Sequence, residues 1–91
     1  MSAPEAAEDG GAVRRRRLKF RAWHRGMREV DLILGRFADA SVDRMDEAEL
    51  SAFEDLLDEP DPEILSWVMG QTPVPDDGKN KLVHRLIAFY R

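Results

Sequence analysis

The sequence predicts an all-α protein, a compact bundle of five short helices, and three observations carry that prediction. Apolar residues recur at three- and four-residue spacing along most of the chain. No stretch alternates long enough to make a strand, and capping and breaking residues fall at the ends of the periodic segments. With 91 residues, 43% hydrophobic and 35% charged, the chain can bury one core under a heavily ionised surface, which excludes a multidomain enzyme.

Residues 1–13 read as a disordered acidic tail and 14–91 as a single helical domain. The first dozen residues hold three acids and no base, the reverse of a secretory or transit signal, so a cytoplasmic location is expected. A first helix is predicted from about Arg14 to His24, with Leu18, Ala22, Phe20 and Trp23 turned inward and Gly26 interrupting or ending it. A second, from about Met27 to Ala40, sets Val30, Ile33, Leu34, Phe37 and Ala38 on one stripe. Asp46 and Glu49 form a capping box for a third helix that buries Leu50, Phe53, Leu56 and Leu57. Pro60 stops it, and Asp61 and Pro62 read as N-cap and first residue of a fourth helix. That helix reaches Met69, with Ile64, Leu65 and Val68 inward, Trp67 half-buried and Gly70 just past its end. Gln71 to Gly78 is a loop, and a last helix from about Lys79 to Tyr90 buries Leu82, Val83, Leu86, Ile87 and Tyr90.

Catalytic chemistry finds little to work with. There is no cysteine, so disulfides, thiolate nucleophiles and Cys-ligated metals are excluded. His24 and His84 have no second ligand at metal spacing, and no phosphate loop, dinucleotide fingerprint or calcium loop is present. No catalytic, cofactor-binding or metal-binding residue is therefore assigned. No apolar run approaches the ~18 residues of a membrane span.

The net charge of −4 conceals a division. Arg14 to Arg28 carries eight bases and no acid, whereas Asp39 to Glu63 carries eleven acids against Arg44. One reading makes the basic helix a nucleic-acid-binding module, with Phe20 or Trp23 stacking on bases. The other pairs it with the acidic middle of the same chain. A second open question lies in Arg25-Gly26-Met27-Arg28-Glu29. Arg25 and Glu29, four positions apart, could flank a flat spot at Gly26 where another backbone approaches. Equally, they could be an ordinary ion pair at a helix junction.

The string HRGMREVDLIL, the element FEDLLDEPDPEILSWVMG and the final amphipathic helix together resemble the SdhE family, FAD assembly factors of succinate dehydrogenase, over roughly Arg15 to Tyr90. The family's RGxxE motif stands here as RGMRE, followed by Leu56-Leu57 and then Asp61-Pro62-Glu63-Ile64-Leu65-Ser66-Trp67 in the family's order and spacing. The resemblance implies a non-enzymatic five-helix bundle. Such a bundle binds the flavoprotein subunit of succinate dehydrogenase, and often of fumarate reductase, and promotes covalent attachment of FAD to a histidine of that client. FAD is then the client's cofactor rather than this chain's. Carried over, Arg25, Gly26 and Glu29 are the motif positions that face the client, with Arg28 and Asp31 as neighbours. The Arg14 to Arg17 run departs from the family's pattern. A structural adaptor with another client is the remaining alternative.

Overall fold

The computed structural model describes residues 2–75 and 81–90, with side chains described from residue 11 onward. Among the described residues the regular elements are α1 (Ser2–Trp23), α2 (Arg28–Ser41), a 3-10 turn (Val42–Arg44), α3 (Glu47–Leu57), α4 (Asp61–Val68) and α5 (Lys81–Tyr90), with no strand. The all-α prediction is met. Differences lie at the ends of elements and at a few aromatic rings.

α1 is drawn from Ser2, well before the expected Arg14. Ala3, Ala6, Ala7 and Ala12 are strong helix formers, and Pro4 stands in the first turn, where its missing N–H removes no helical bond. The domain side of α1 buries Leu18 and Ala22. Phe20, expected inward, is 63% exposed, because two residues turn a helix by roughly 200° and so carry it to the side opposite Leu18. Its ring stacks instead on His24, with centroids 4.0 Å apart.

α2 is the central element. Val30, Ile33, Leu34, Phe37 and Ala38 are all buried, as their spacing predicts. Phe37 meets Phe53 of α3 at 5.8 Å and Phe89 of α5 edge-on at 5.6 Å, in the offset geometries aromatic pairs favour. Val42 and Met45, beyond the predicted end of the helix, are also buried; the 3-10 turn tightens the chain enough to fold both back onto the core.

One packing detail explains a glycine inside this helix. A Cβ built on Gly35 would lie 2.2 Å from the Trp23 ring, so the indole rests directly against bare backbone. Trp23 stays half-buried and donates its indole N–H to Asp39 at 3.2 Å. A mid-helix glycine costs about 1 kcal/mol relative to alanine, and close α1–α2 packing offsets it.

The capping box of α3 forms as predicted: Asp46 accepts from the Glu49 N–H at 2.9 Å, and Glu49 accepts from the Asp46 N–H at 3.0 Å. α4 begins one residue early. Pro60 is its N-cap, its carbonyl accepting from Glu63 and Ile64, while Asp61 is already helical and its carboxylate points elsewhere. Trp67, expected half-buried, is buried with Ile64 and Val68. Gly70 has φ +74, the left-handed conformation that ends helices. In α5, Leu82, Val83 and Leu86 are buried and Ile87 half-buried. Tyr90, expected inside, is exposed, which keeps its phenol in water. The expected start at Lys79 lies outside the described residues.

The basic and acidic segments meet within the fold. Arg14 of α1 grips Glu54 of α3 through two bonds of 2.9 Å and also reaches Glu47 and Ser51. Arg15 donates to the carbonyls of Val42 and Met45, Lys19 pairs with Asp43 at 2.9 Å, and Arg21 with Asp58 at 3.1 Å. The bidentate arginine holds the Glu54 carboxyl below the usual carboxylate range.

Two outcomes follow. Gly35→Ala is expected to destabilise the fold by about 1–3 kcal/mol despite the better helix propensity of alanine, because overpacking against the Trp23 ring outweighs it; urea unfolding midpoints check this. A depressed carboxyl pKa stabilises the fold above the unfolded-state value and loses that contribution as pH falls through the folded value. Glu54→Gln should therefore cost stability at neutral pH and flatten the loss below the ordinary glutamate range, read by thermal melts across acidic pH.

Candidate functional site

Residues 24–27 leave the helical path between α1 and α2 and form a tight turn. Gly26 has φ +112, a conformation side chains rarely adopt, which is why glycine stands there. Asp31, in the first turn of α2, pins this turn: its Oδ1 accepts from the Arg25 N–H at 2.7 Å and the Gly26 N–H at 3.2 Å. Met27, the N-cap of α2, makes no side-chain cap; Asp31 instead satisfies the two amides just before it and adds negative charge at the positive helix end.

Arg25 turns inward. Its Nε donates to Asp61 Oδ1 at 2.7 Å, and its two terminal nitrogens donate to the carbonyls of Leu57 and Glu59. The side chains of Arg25 and Asp61 are only 12% and 14% exposed. Leu57 ends α3, so the guanidinium satisfies carbonyls at and beyond a helix C-terminus, where cations are favoured, while Asp61 lies at the negative-preferring start of α4. One side chain thus joins the α1–α2 turn to α3 and α4.

The sequence-predicted residues are gathered within this turn and the first turn of α2, but not in the expected arrangement. Arg25 lies outside any helix and pairs with Asp61, so it shares no helical face and no ion pair with Glu29. Gly26 is exposed, and a Cβ there would meet nothing within 4 Å, so the notch opens to solvent. Arg28 and Glu29 are exposed and make no ion pair among the described residues. Leu32, one helical turn beyond Arg28, is 38% exposed and adds an apolar element to the same side. Asp31 is half-buried beneath them.

Two participants escape the sequence reading. Asp61 reads as a cap residue, and nothing local reveals that its partner lies 36 positions away. Leu32 carries a legible signal, a large apolar residue off the buried stripe of α2. Among the described residues no group of three or more His, Asp or Glu could hold a metal ion, and no helix is long and apolar enough to cross a membrane.

Residues 16–90 match the family described as flavinator of succinate dehydrogenase. The chain belongs to that family. It is 44% identical over 86 residues to the FAD assembly factor SdhE of Acetobacter pasteurianus, covering 94% of this chain and 79% of that protein. It is 38% identical over 78 residues to the mitochondrial succinate dehydrogenase assembly factor 2 of Debaryomyces hansenii, covering 82% of this chain and 55% of that one. The corresponding protein of Dictyostelium discoideum is 33% identical over 69 residues, covering 76% and 49%. The chain thus spans about half the length of these mitochondrial relatives. Members of the family are assembly factors, not catalysts. The match takes in the whole turn, with both its open edge at Gly26 and its inward clamp at Arg25.

Asp31→Ala should leave the amides of Arg25 and Gly26 without their acceptor and destabilise the chain by about 1–3 kcal/mol, the scale of donors that lose a charged partner. Faster hydrogen exchange at those two amides, with little change in helical circular dichroism, is the expected signature.

Proposed function

We propose that this chain binds the flavoprotein subunit of succinate dehydrogenase and promotes covalent attachment of FAD to a histidine of that subunit, with the corresponding subunit of fumarate reductase as a second client. It works in the cytoplasm through residues 14–91. The observation that carries the reading is the exposed Gly26 edge, open to solvent and bordered by Arg28 and Glu29, which make no ion pair among the described residues. The names of its relatives, an FAD assembly factor and succinate dehydrogenase assembly factors, support the same client and the same reaction.

A protein without catalytic groups of its own accelerates a client's reaction only by shifting the client's conformational population, and only by as much as it prefers one client state over another. A preference of about 3 kcal/mol enriches a minor competent state roughly a hundredfold. A narrow glycine edge that admits a partner backbone, with opposite charges fixed on either side, is suited to such discrimination. The face is charged around a single apolar residue, Leu32, in keeping with an assembly factor that must leave once its client is loaded.

The nucleic-acid alternative loses its main support. Arg14, Arg15, Lys19, Arg21 and Arg25, five of the eight bases between Arg14 and Arg28, are engaged by acids or carbonyls of this same chain.

Deleting the gene should lower covalent flavin on the dehydrogenase flavoprotein subunit, read as in-gel flavin fluorescence after denaturation. Unchanged fluorescence would overturn the reading. Gly26→Arg should keep its helical circular dichroism, with backbone strain of about 1–3 kcal/mol at φ +112, yet weaken capture of the flavoprotein subunit by about tenfold or more.

A further inference from the structure

The two arginines of the RGMRE string stand in opposite situations. Arg28 is exposed and without an ion-pair partner among the described residues, whereas every nitrogen of the Arg25 guanidinium already donates to an acceptor within the chain. A guanidinium offers its donors in one rigid fork. Three of its five N–H groups are thus engaged, and a partner that drew the guanidinium outward would have to take it from Asp61 and from the Leu57 and Glu59 carbonyls, leaving a carboxylate that is 14% exposed without its cation. Partners dock where charge is free, and here that is three residues on, at Arg28.

We propose that Arg25 is a positioning residue that does not touch the flavoprotein. With Asp61 and Asp31 it locks turn 24–27, so that the Gly26 edge, Arg28, Glu29 and Leu32 form the contact face. This rests on the proposed binding of the flavoprotein subunit. It gives Asp61, at the far end of the Arg25 side chain, a part in holding the contact face in shape, although Asp61 belongs to α4 and presents little surface of its own. Asp31 fastens the backbone of the turn from one side while Asp61 fastens the side chain from the other. With both in place Gly26 keeps its left-handed conformation and its open edge.

A double-mutant cycle on the full chain, with purified flavoprotein subunit as the probe, tests this. Arg25→Ala and Asp61→Ala should each weaken binding by about tenfold, as expected if the locked turn falls to roughly a tenth of the population. The double variant should bind no worse than the weaker single variant, since both remove one lock. Asp61→Asn keeps an acceptor oxygen at the position; it should lose less, and it serves where the alanine variant fails to fold. Arg28→Ala should add its own loss in the Asp61→Ala background. Amide exchange at Gly26 in the free chain should rise with either alanine change.

A further tenfold loss on adding Arg25→Ala to Asp61→Ala would mean that Arg25 contacts the partner, and the proposal would be overturned. Unaltered affinity of Asp61→Ala with faster exchange at Gly26 would overturn it equally. Failure of the unsubstituted chain to bind the flavoprotein subunit would defeat the binding reading itself, a different result from either.

Discussion

The Arg25 clamp is the interaction on which the rest of the structure depends. Three chain segments converge on it: the turn between α1 and α2, the C-terminus of α3, and the first turn of α4. The carbonyls of Leu57 and Glu59, at and just beyond the end of α3, and the carboxylate of Asp61 at the start of α4 all find their donor in this one side chain. A largely buried guanidinium answers each need with one rigid group. Removing one member of such a pair is far more damaging than replacing both, because the survivor remains buried with its charge uncompensated. Asp31 completes the arrangement by fastening the backbone amides of the same turn.

Around this clamp the chain uses its polarity twice. Most of the basic residues of α1 reach inward or sideways to the acids of α3 and the carbonyls beyond α2, so a sequence with strongly separated charge becomes a fold that largely neutralises itself. What remains unpaired is therefore informative. Arg16 and Arg17 on α1, and Arg28, Glu29 and Arg36 on α2, are exposed without ion pairs among the described residues. They face away from the core, and the open edge of Gly26 stands beside two of them.

The core fixes how closely α1 and α2 approach, and hence the shape of the turn joining them. Trp23 lies on the bare backbone of Gly35 two residues before the turn's arginine, while Val30 and Ile33 anchor the other side. A rigid hairpin of this kind can present a glycine edge without further support from a partner. That suits a factor proposed to select one shape of its client rather than to adapt to every shape.

Helix number, the stripe of α2, the capping box at Asp46 and Glu49 and the stop at Gly70 were legible in the sequence, because each depends on contacts or conformations within a few residues. The RGMRE string was legible as a place of interest for the same reason: a glycine between charges is visible in one dimension. Which arginine turns inward was not. That choice depends on Asp61, Leu57 and Glu59, which lie more than thirty positions away and reach Arg25 only once α3 and α4 have packed. The burial of Trp67 was set in the same way, by where neighbouring helices fall rather than by the residue itself, whereas the exposure of Phe20 follows from its place on α1 opposite Leu18. Local sequence therefore determined which segments are helical and which face of each is apolar. Tertiary packing alone decided which charges are satisfied internally and which are left for a partner, since that depends on distances between segments that no local pattern encodes.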